Sequence, residues 1–201
     1  MNVKIKLCGM FREKDIDYVN ELMPDYVGFI INFSKSHRSI DAQTAMKLKE
    51  KLSKKIKAVG VFVNEKPEVI TDIVNRQIIS VVQLHGSEDE NYIKSLRKNC
   101  NAEIIKAFTV KTLKDIEKAN NSSADFVLLD SGAGTGTTFD HSLIKGISRP
   151  YFLAGGLTDK NVATAIDNLR PFAVDASSSL ETNKIKDINK MTSFVKAVRK
   201  G

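Results

Sequence analysis

The sequence predicts an α/β protein, a single-domain (βα)8 barrel of the TIM type with short loops, spanning residues 1–201. Short β-branched or apolar runs alternate with longer amphipathic stretches along the chain, which implies a parallel sheet. Most of these runs are apolar on successive residues, the pattern of strands covered on both faces. Counting gives eight strand-then-helix units, the number that closes a barrel, with an open doubly wound sheet as the alternative. No Pro/Gly/Ser-rich linker interrupts the alternation, so no domain boundary is drawn. A barrel of this kind needs at least about 200 residues, which leaves little for its loops.

The strands are expected at residues 3–7, 26–31, 58–63, 81–84, 104–108, 126–129, 151–153 and 172–174. Between the first two, Ile16, Val19, Leu22 and Met23 recur at helical spacing. Lys47, Lys49, Lys51, Lys54 and Lys55 fall on helix faces ahead of the third strand. Pro67 opens the helix carrying Val69, Ile70, Ile73 and Val74, where a missing amide proton costs least. Ser87 and Glu90 form a capping-box pattern ahead of Ile93 and Leu96. The sixth helix is short, at residues 142–145. Thr158 is expected to cap the helix of Val162, Ala165, Ile166 and Leu169, and Arg170-Pro171 stops it. The last helical repeat is Ile185, Ile188, Met191, Val195 and Val198. Residues 25–28, 125–128 and 172–175 each place an acid beside a buried run, a faint internal echo.

At 42% hydrophobic and 27% charged the chain has ordinary globular composition, which excludes disorder and low complexity. Its longest apolar runs, such as residues 27–31, fall far short of the roughly 18 residues a membrane helix needs. The first seven residues hold no signal-peptide core. Cys8 and Cys100 form neither a disulfide framework nor a metal cluster, so a reducing cytoplasm is expected. The net charge of +7 comes without aromatic-basic interleaving or zinc-finger spacing. It reads as a solvated basic surface with some attraction for anionic substrates.

In a barrel the residues just past each strand converge on one face, which carries the active site. Those positions hold Cys8, residues 32–38, Asn64, His85, Asp130, Gly155-Gly156 and residues 175–179. A Gly-Gly pair alone makes a tight turn. Here Gly155-Gly156 and Ser177, Ser178 and Ser179 follow strands seven and eight, where barrels commonly hold phosphate on amides and hydroxyls. A buried cysteine is usually core filler, but Cys8 ends a strand and Gly9 beside it is expected to open space. Asp130 is either a helix N-cap or a working carboxylate at the barrel mouth. Arg38 is either a surface residue or a fork for a substrate carboxylate. His85 is favoured as a polar lining group over an acid-base group. The glycine-rich residues 132–136 lack the lysine and spacing of a phosphate loop, and are read as a flap or a flexible connection. His37, His85 and His141 show no ligand spacing, so no metal site is expected.

Several stretches then match one family in order along the chain. They are Lys6-Leu7-Cys8-Gly9, Val27-Gly28-Phe29, residues 34–38, and Val59-Gly60-Val61-Phe62-Val63-Asn64. Val82-Gln83-Leu84-His85-Gly86, Leu129-Asp130 and Gly134-Thr135-Gly136 with Phe139-Asp140 continue them. Ala154-Gly155-Gly156-Leu157 and Asp175 with Ser177-Ser178 complete the set. Together they make the chain resemble the phosphoribosylanthranilate isomerase family of tryptophan biosynthesis. The resemblance implies an intramolecular aldose-ketose isomerase, an Amadori rearrangement run by general acid-base catalysis with no metal and no cofactor. It implies that Cys8 is the base, Asp130 the acid and Arg38 the partner of the anthranilate carboxylate. Gly155, Gly156, Ser177 and Ser178 are implied to hold the phosphate. An unperturbed thiol has a pKa of about 8.5, so a modest downward shift at Cys8 would make enough thiolate at neutral pH. The expected partner is the small-molecule substrate, with no nucleic acid and no membrane, and the chain is expected as a monomer or homodimer. Ser179, His141 and Met10 depart from the family's usual glycine, tryptophan and branched aliphatic, and Ser179 is expected to crowd the phosphate loop. Rival readings are a barrel epimerase or synthase on another phosphorylated sugar and a non-catalytic sugar-phosphate binding module. The epimerase reading calls for metal ligands, and the binding module has no need of Cys8 and Asp130.

Overall fold

A computed structural model of the chain describes residues 3–130 and 141–200. Residues 132–136, the expected flap, lie outside the described residues, as do Phe139 and Asp140. The parallel strands are β1 (Lys4–Cys8), β2 (Tyr26–Ile31), β3 (Lys57–Phe62) and β4 (Val81–Leu84), then β5 (Glu103–Thr109), β6 (Phe126–Asp130), β7 (Tyr151–Ala154) and β8 (Ala173–Ala176). Each pairs with the next, and β1 pairs with both β2 and β8, so the eight strands close into a barrel. The open-sheet alternative is thereby overturned.

A helix follows each strand. These are α1 (Glu13–Leu22), α2 (Ala42–Lys51), α3 (Pro67–Asn75) and α4 (Glu90–Arg97), then α5 (Leu113–Asn120), α6 (His141–Ile144), α7 (Val162–Leu169) and α8 (Ile188–Lys200). Pro67 is the first residue of α3, as its missing amide proton favours. Two expected caps are corrected. Asp89 rather than Ser87 caps α4, its Oδ1 accepting from Tyr92 N at 2.8 Å. The Ser87 amide donates instead to Asn64 Oδ1. Asn161 stands at the start of α7, and Thr158 contributes its carbonyl to the Val162 amide at 3.0 Å rather than its hydroxyl.

The last helix starts at Ile188, because Ile185 lies in a two-residue strand (Ile185–Lys186) paired antiparallel with Glu181–Thr182. Asn183 and Lys184, at φ 52° and 64°, make the tight turn between them. A three-residue spacing from Ile185 to Ile188 imitates helical periodicity across that hairpin. The acid echo has a partial structural basis. Asp25 accepts from the Ile5 amide and Asp125 from the Ile104 amide, each tying down the strand before its own. Asp175 belongs to a different set, inside β8.

The apolar residues bury in two layers. One lies between sheet and helices, where Leu7, Phe29, Phe62 and Leu129 pack with Ile16, Ile70 and Ile93. The other fills the barrel and includes Val59, Val61, Ile105, Leu128 and Phe152. At the N-terminal strand ends, Tyr26 and Phe126 meet Phe152 edge-on at 5.4 and 5.7 Å, and Phe126 stacks on Phe172 at 4.9 Å. This aromatic plug fills the bottom, so the open end is the C-terminal one. Burying one such ring contributes roughly 1.5–3 kcal/mol.

Candidate active site

A cavity of about 190 Å³ opens at the C-terminal strand ends. Cys8, His85, Asp130, Gly155, Gly156, Ser177 and Ser178 line it, joined by Ser179. Of the ring positions read from sequence, residues 32–38, Arg38 among them, and Asn64 are not among its lining. Asn64 serves the neighbouring loop, where its Oδ1 takes the amide and hydroxyl of Ser87.

Cys8 and Asp130 are the last residues of β1 and β6, held in the ladder opposite Gly28 and Ala154. The space beside the thiol comes from Gly28, not from Gly9 as expected. A Cβ at position 28 would stand 2.6 Å from Cys8 Sγ. Gly9, at φ 78°, instead makes room for Arg38, whose Cδ would lie 2.5 Å from its Cβ. The hydroxyl of Ser177 donates to the Cys8 carbonyl at 3.0 Å, tying the loop after β8 to the end of β1.

Alternation along β1 puts Lys6 on the same face as Cys8. Lys6 is fully buried and donates to Asp175 Oδ2 at 2.7 Å, its register partner on β8. Burial draws the lysine's pKa down, but Asp175 and Cys8 outweigh it and the net shift is upward. Burial pushes the Asp175 carboxyl up against the pull of Lys6. Asp175 Oδ1 and Gln83 Oε1 are buried with no hydrogen-bond partner among the described residues. Burial also pushes the Cys8 thiol up, opposed by Lys6 and Lys186 and reinforced by Asp175. The modest downward shift that would make thiolate at neutral pH is therefore not what the site gives: desolvation in the barrel outweighs the nearby cations.

His85 Nε2 lies 3.9 Å from Asp130 Oδ2, and Gln83 Nε2 lies 3.0 Å from His85 Nδ1. Burial lowers the imidazole pKa from 6.5 despite the pull of Asp130, so the ring is neutral at pH 7. A neutral ring accepting at Nδ1 carries its proton on Nε2, towards Asp130. Gly155 takes φ 94°, a conformation L side chains rarely adopt, which turns the loop after β7 onto the cavity.

Arg38 is paired within the protein. Its Nε donates to Glu181 Oε1 at 2.5 Å and its Nη2 to Oε2 at 2.7 Å. The same Glu181 takes Lys186 Nζ at 2.7 Å, and Lys186 also donates to the Ser177 carbonyl at 2.9 Å. Burial alone would raise the Glu181 carboxyl, but hydrogen bonds from Arg38 and Lys186 bring it to about 2. Sequence reasoning missed Glu181 and Lys186. It quoted Lys6 and Gln83 only within the matched stretches, and gave Asp175 no role beyond its place in the ring, the acid echo and the matched set. For Lys6 there was a signal, a lysine two residues before Cys8 on the same inward face. For Glu181 and Lys186 the signal was the turn pair Asn183-Lys184, obscured by the helical spacing after it.

Among the described residues, no group of three or more His, Cys, Asp or Glu is placed to hold a metal ion. None of their helices is long and apolar enough to cross a membrane.

Comparison with known proteins bears directly on this site. A protein named N-(5'-phosphoribosyl)anthranilate isomerase from Endomicrobium trichonymphae is 42% identical over 201 residues, covering 98% of each chain. A crystal structure of phosphoribosyl anthranilate isomerase in complex with reduced 1-(o-carboxyphenylamino)-1-deoxyribulose 5-phosphate superposes at TM-score 0.85. It is 34% identical, covering 99% of this chain and all of the other. Monomers generated from the dimeric Thermotoga maritima enzyme give 0.86 at 35% identity, over 99% of this chain and 100% of theirs. The family model for N-(5'-phosphoribosyl)anthranilate isomerase matches residues 5–197, from the first barrel strand into the last helix, and the chain belongs to that family.

Proposed function

We propose that the chain converts N-(5'-phosphoribosyl)anthranilate into 1-(2-carboxyphenylamino)-1-deoxyribulose 5-phosphate, with Cys8 as general base and Asp130 as general acid. The roles are those the family resemblance implies, and one observation supports them. A thiol and a carboxyl end β1 and β6 on a single cavity, whose rim is formed by the small-residue loops at 155–156 and 177–179.

The reaction opens when protonated Asp130 delivers its proton to the furanose ring oxygen and the bond from that oxygen to C1 breaks. The resulting Schiff base acidifies the proton on C2. The Cys8 thiolate removes it, and the enol-enamine so formed tautomerises to the ketone. Each positioned proton transfer contributes roughly 10²- to 10⁴-fold. Gly155 and Gly156 offer backbone amides to the phosphate, and Ser177 and Ser178 their loop. Glu181 occupies the Nε–Nη2 edge of Arg38, so the anthranilate carboxylate is met by the remaining N–H groups of the guanidinium. His85, neutral and fixed by Gln83, lines the site beside Asp130. The proposed setting is the reducing cytoplasm, where Cys8 stays a thiol. The small-molecule substrate is the partner, with no nucleic acid, metal or organic cofactor. Association as a homodimer has its precedent in the Thermotoga maritima enzyme.

Substrate fluorescence tests the reading. Adding protein to phosphoribosylanthranilate is expected to extinguish it with multiple turnovers. Binding without decay would favour a sugar-phosphate binding module instead.

A further inference from the structure

Burying a lysine and an aspartate side by side at the centre of a barrel is costly unless the charges are used or well paired. Lys6 and Asp175 are such a pair, register partners on β1 and β8, with Nζ 2.7 Å from Oδ2. Lys6 is fully buried, and Asp175 lines the cavity with its second oxygen unpartnered among the described residues. Apolar residues would fill the same volume at lower cost. The position of the pair gives it a use. Lys6 stands one inward step below Cys8 on the same strand, where its ammonium faces both the carboxylate and the thiol.

We infer that Lys6 is a positioning residue: its ammonium, anchored by Asp175, stabilises the Cys8 thiolate when the base forms. This rests on the reading of Cys8 as the base, and it adds a source for the thiolate. Among the described residues, charged groups reach the thiol's surroundings from several elements, with Glu181 pairing both Arg38 and Lys186. Lys6 approaches from β1 itself, Asp175 from β8, Lys186 from the hairpin after β8 and Arg38 from the loop after β2. His85 and Asp130 stand on the other walls of the cavity. The barrel pushes the free thiol up by desolvation, so a fixed cation nearby is the element that makes a thiolate accessible there. Asp175 has two opposed effects. It fixes Lys6 in place, and its own charge disfavours the thiolate.

These opposed signs provide the test. In a Cys100→Ala background, so that only Cys8 reports, the rate of iodoacetamide alkylation is followed against pH without substrate. Lys6→Met is expected to move the midpoint to higher pH and slow alkylation at pH 8 by roughly tenfold or more, since the thiolate is the nucleophile. Lys6→Arg keeps the charge and is expected to restore most of that loss. Asp175→Asn keeps the shape and an acceptor for Lys6 while removing the opposing charge, and is expected to move the midpoint to lower pH. An unmoved midpoint in folded Lys6→Met, or a shift of the same sign in Lys6→Met and Asp175→Asn, overturns the inference. Should Lys6→Met not fold, Lys6→Gln takes its place, and an unmoved midpoint in that variant overturns it. Turnover by Cys8→Ser is a separate measurement. If it survives while the thiol midpoints shift as stated, the role of Cys8 fails and that of Lys6 stands.

Discussion

Arg38 and Glu181, 143 residues apart, meet in a two-bond fork at 2.5 and 2.7 Å, where Gly9 leaves room for the arginine. Glu181 is itself pinned by Lys186, so the guanidinium is held in place before any substrate arrives. An arginine already fixed loses little side-chain freedom when it meets a carboxylate.

Binding of the anthranilate carboxylate should therefore depend on both partners. Arg38→Ala is expected to raise KM by roughly tenfold or more, the worth of a charge-assisted hydrogen bond. Arg38→Lys should recover only part, because a lysine lacks the planar fork. Glu181→Gln is expected to raise KM more than it lowers kcat. Steady-state kinetics on all three checks this, and unaltered Michaelis constants would return Arg38 to the surface.

Glu181 also sets a pH dependence of stability. Its folded pKa of about 2 lies below its ordinary 4.5, so folding favours the ionised form. That stabilisation is fully present above about pH 4.5 and is lost as pH falls towards 2. A shift of this size corresponds to a contribution on the order of 3 kcal/mol at neutral pH. Urea unfolding of wild type and Glu181→Gln should differ at pH 7 and converge at the acid end. A gap that stays constant across pH would contradict it.

Metal dependence separates this chemistry from that of a barrel epimerase. Dialysis against a chelator is expected to leave turnover unchanged, and loss of activity restored by a divalent cation would favour the epimerase reading.

The barrel was legible because its signals are local and repeated. Apolar runs such as residues 26–31 and the helical repeat of Ile70 and Ile73 state their element types without tertiary information. Cys8 and Asp130 were legible because a polar residue closing a buried strand stands out. Closure itself was legible only as a count, since no short stretch of sequence specifies that β1 meets both β2 and β8. What remained hidden depends on contacts between distant segments. Ser87 reads as the cap of α4, but Asn64, 23 residues away, accepts its amide and hydroxyl, and Asp89 caps the helix instead. The alternation of β1 puts Lys6 on the inward face, but its partner shows only when β8 places Asp175 opposite it, 169 positions later. Glu181 and Lys186 were concealed by Ile185, which continues the period of α8 backwards across a hairpin. The thiol's upward shift was hidden too, because sequence shows which charges exist but not how much water the closed barrel removes.

The most direct test of the acid-base assignment is turnover by folded Cys8→Ser and Asp130→Asn, followed through substrate fluorescence. Cys8→Ser keeps the shape but replaces the thiol with a hydroxyl that does not ionise near neutral pH. Asp130→Asn keeps the shape but has no carboxylic proton to give. Each is expected to lower turnover by at least about 10²-fold. Both should still bind the reduced product analogue, because the phosphate and carboxylate anchors lie elsewhere in the site. Near-full turnover by both folded variants would contradict the account.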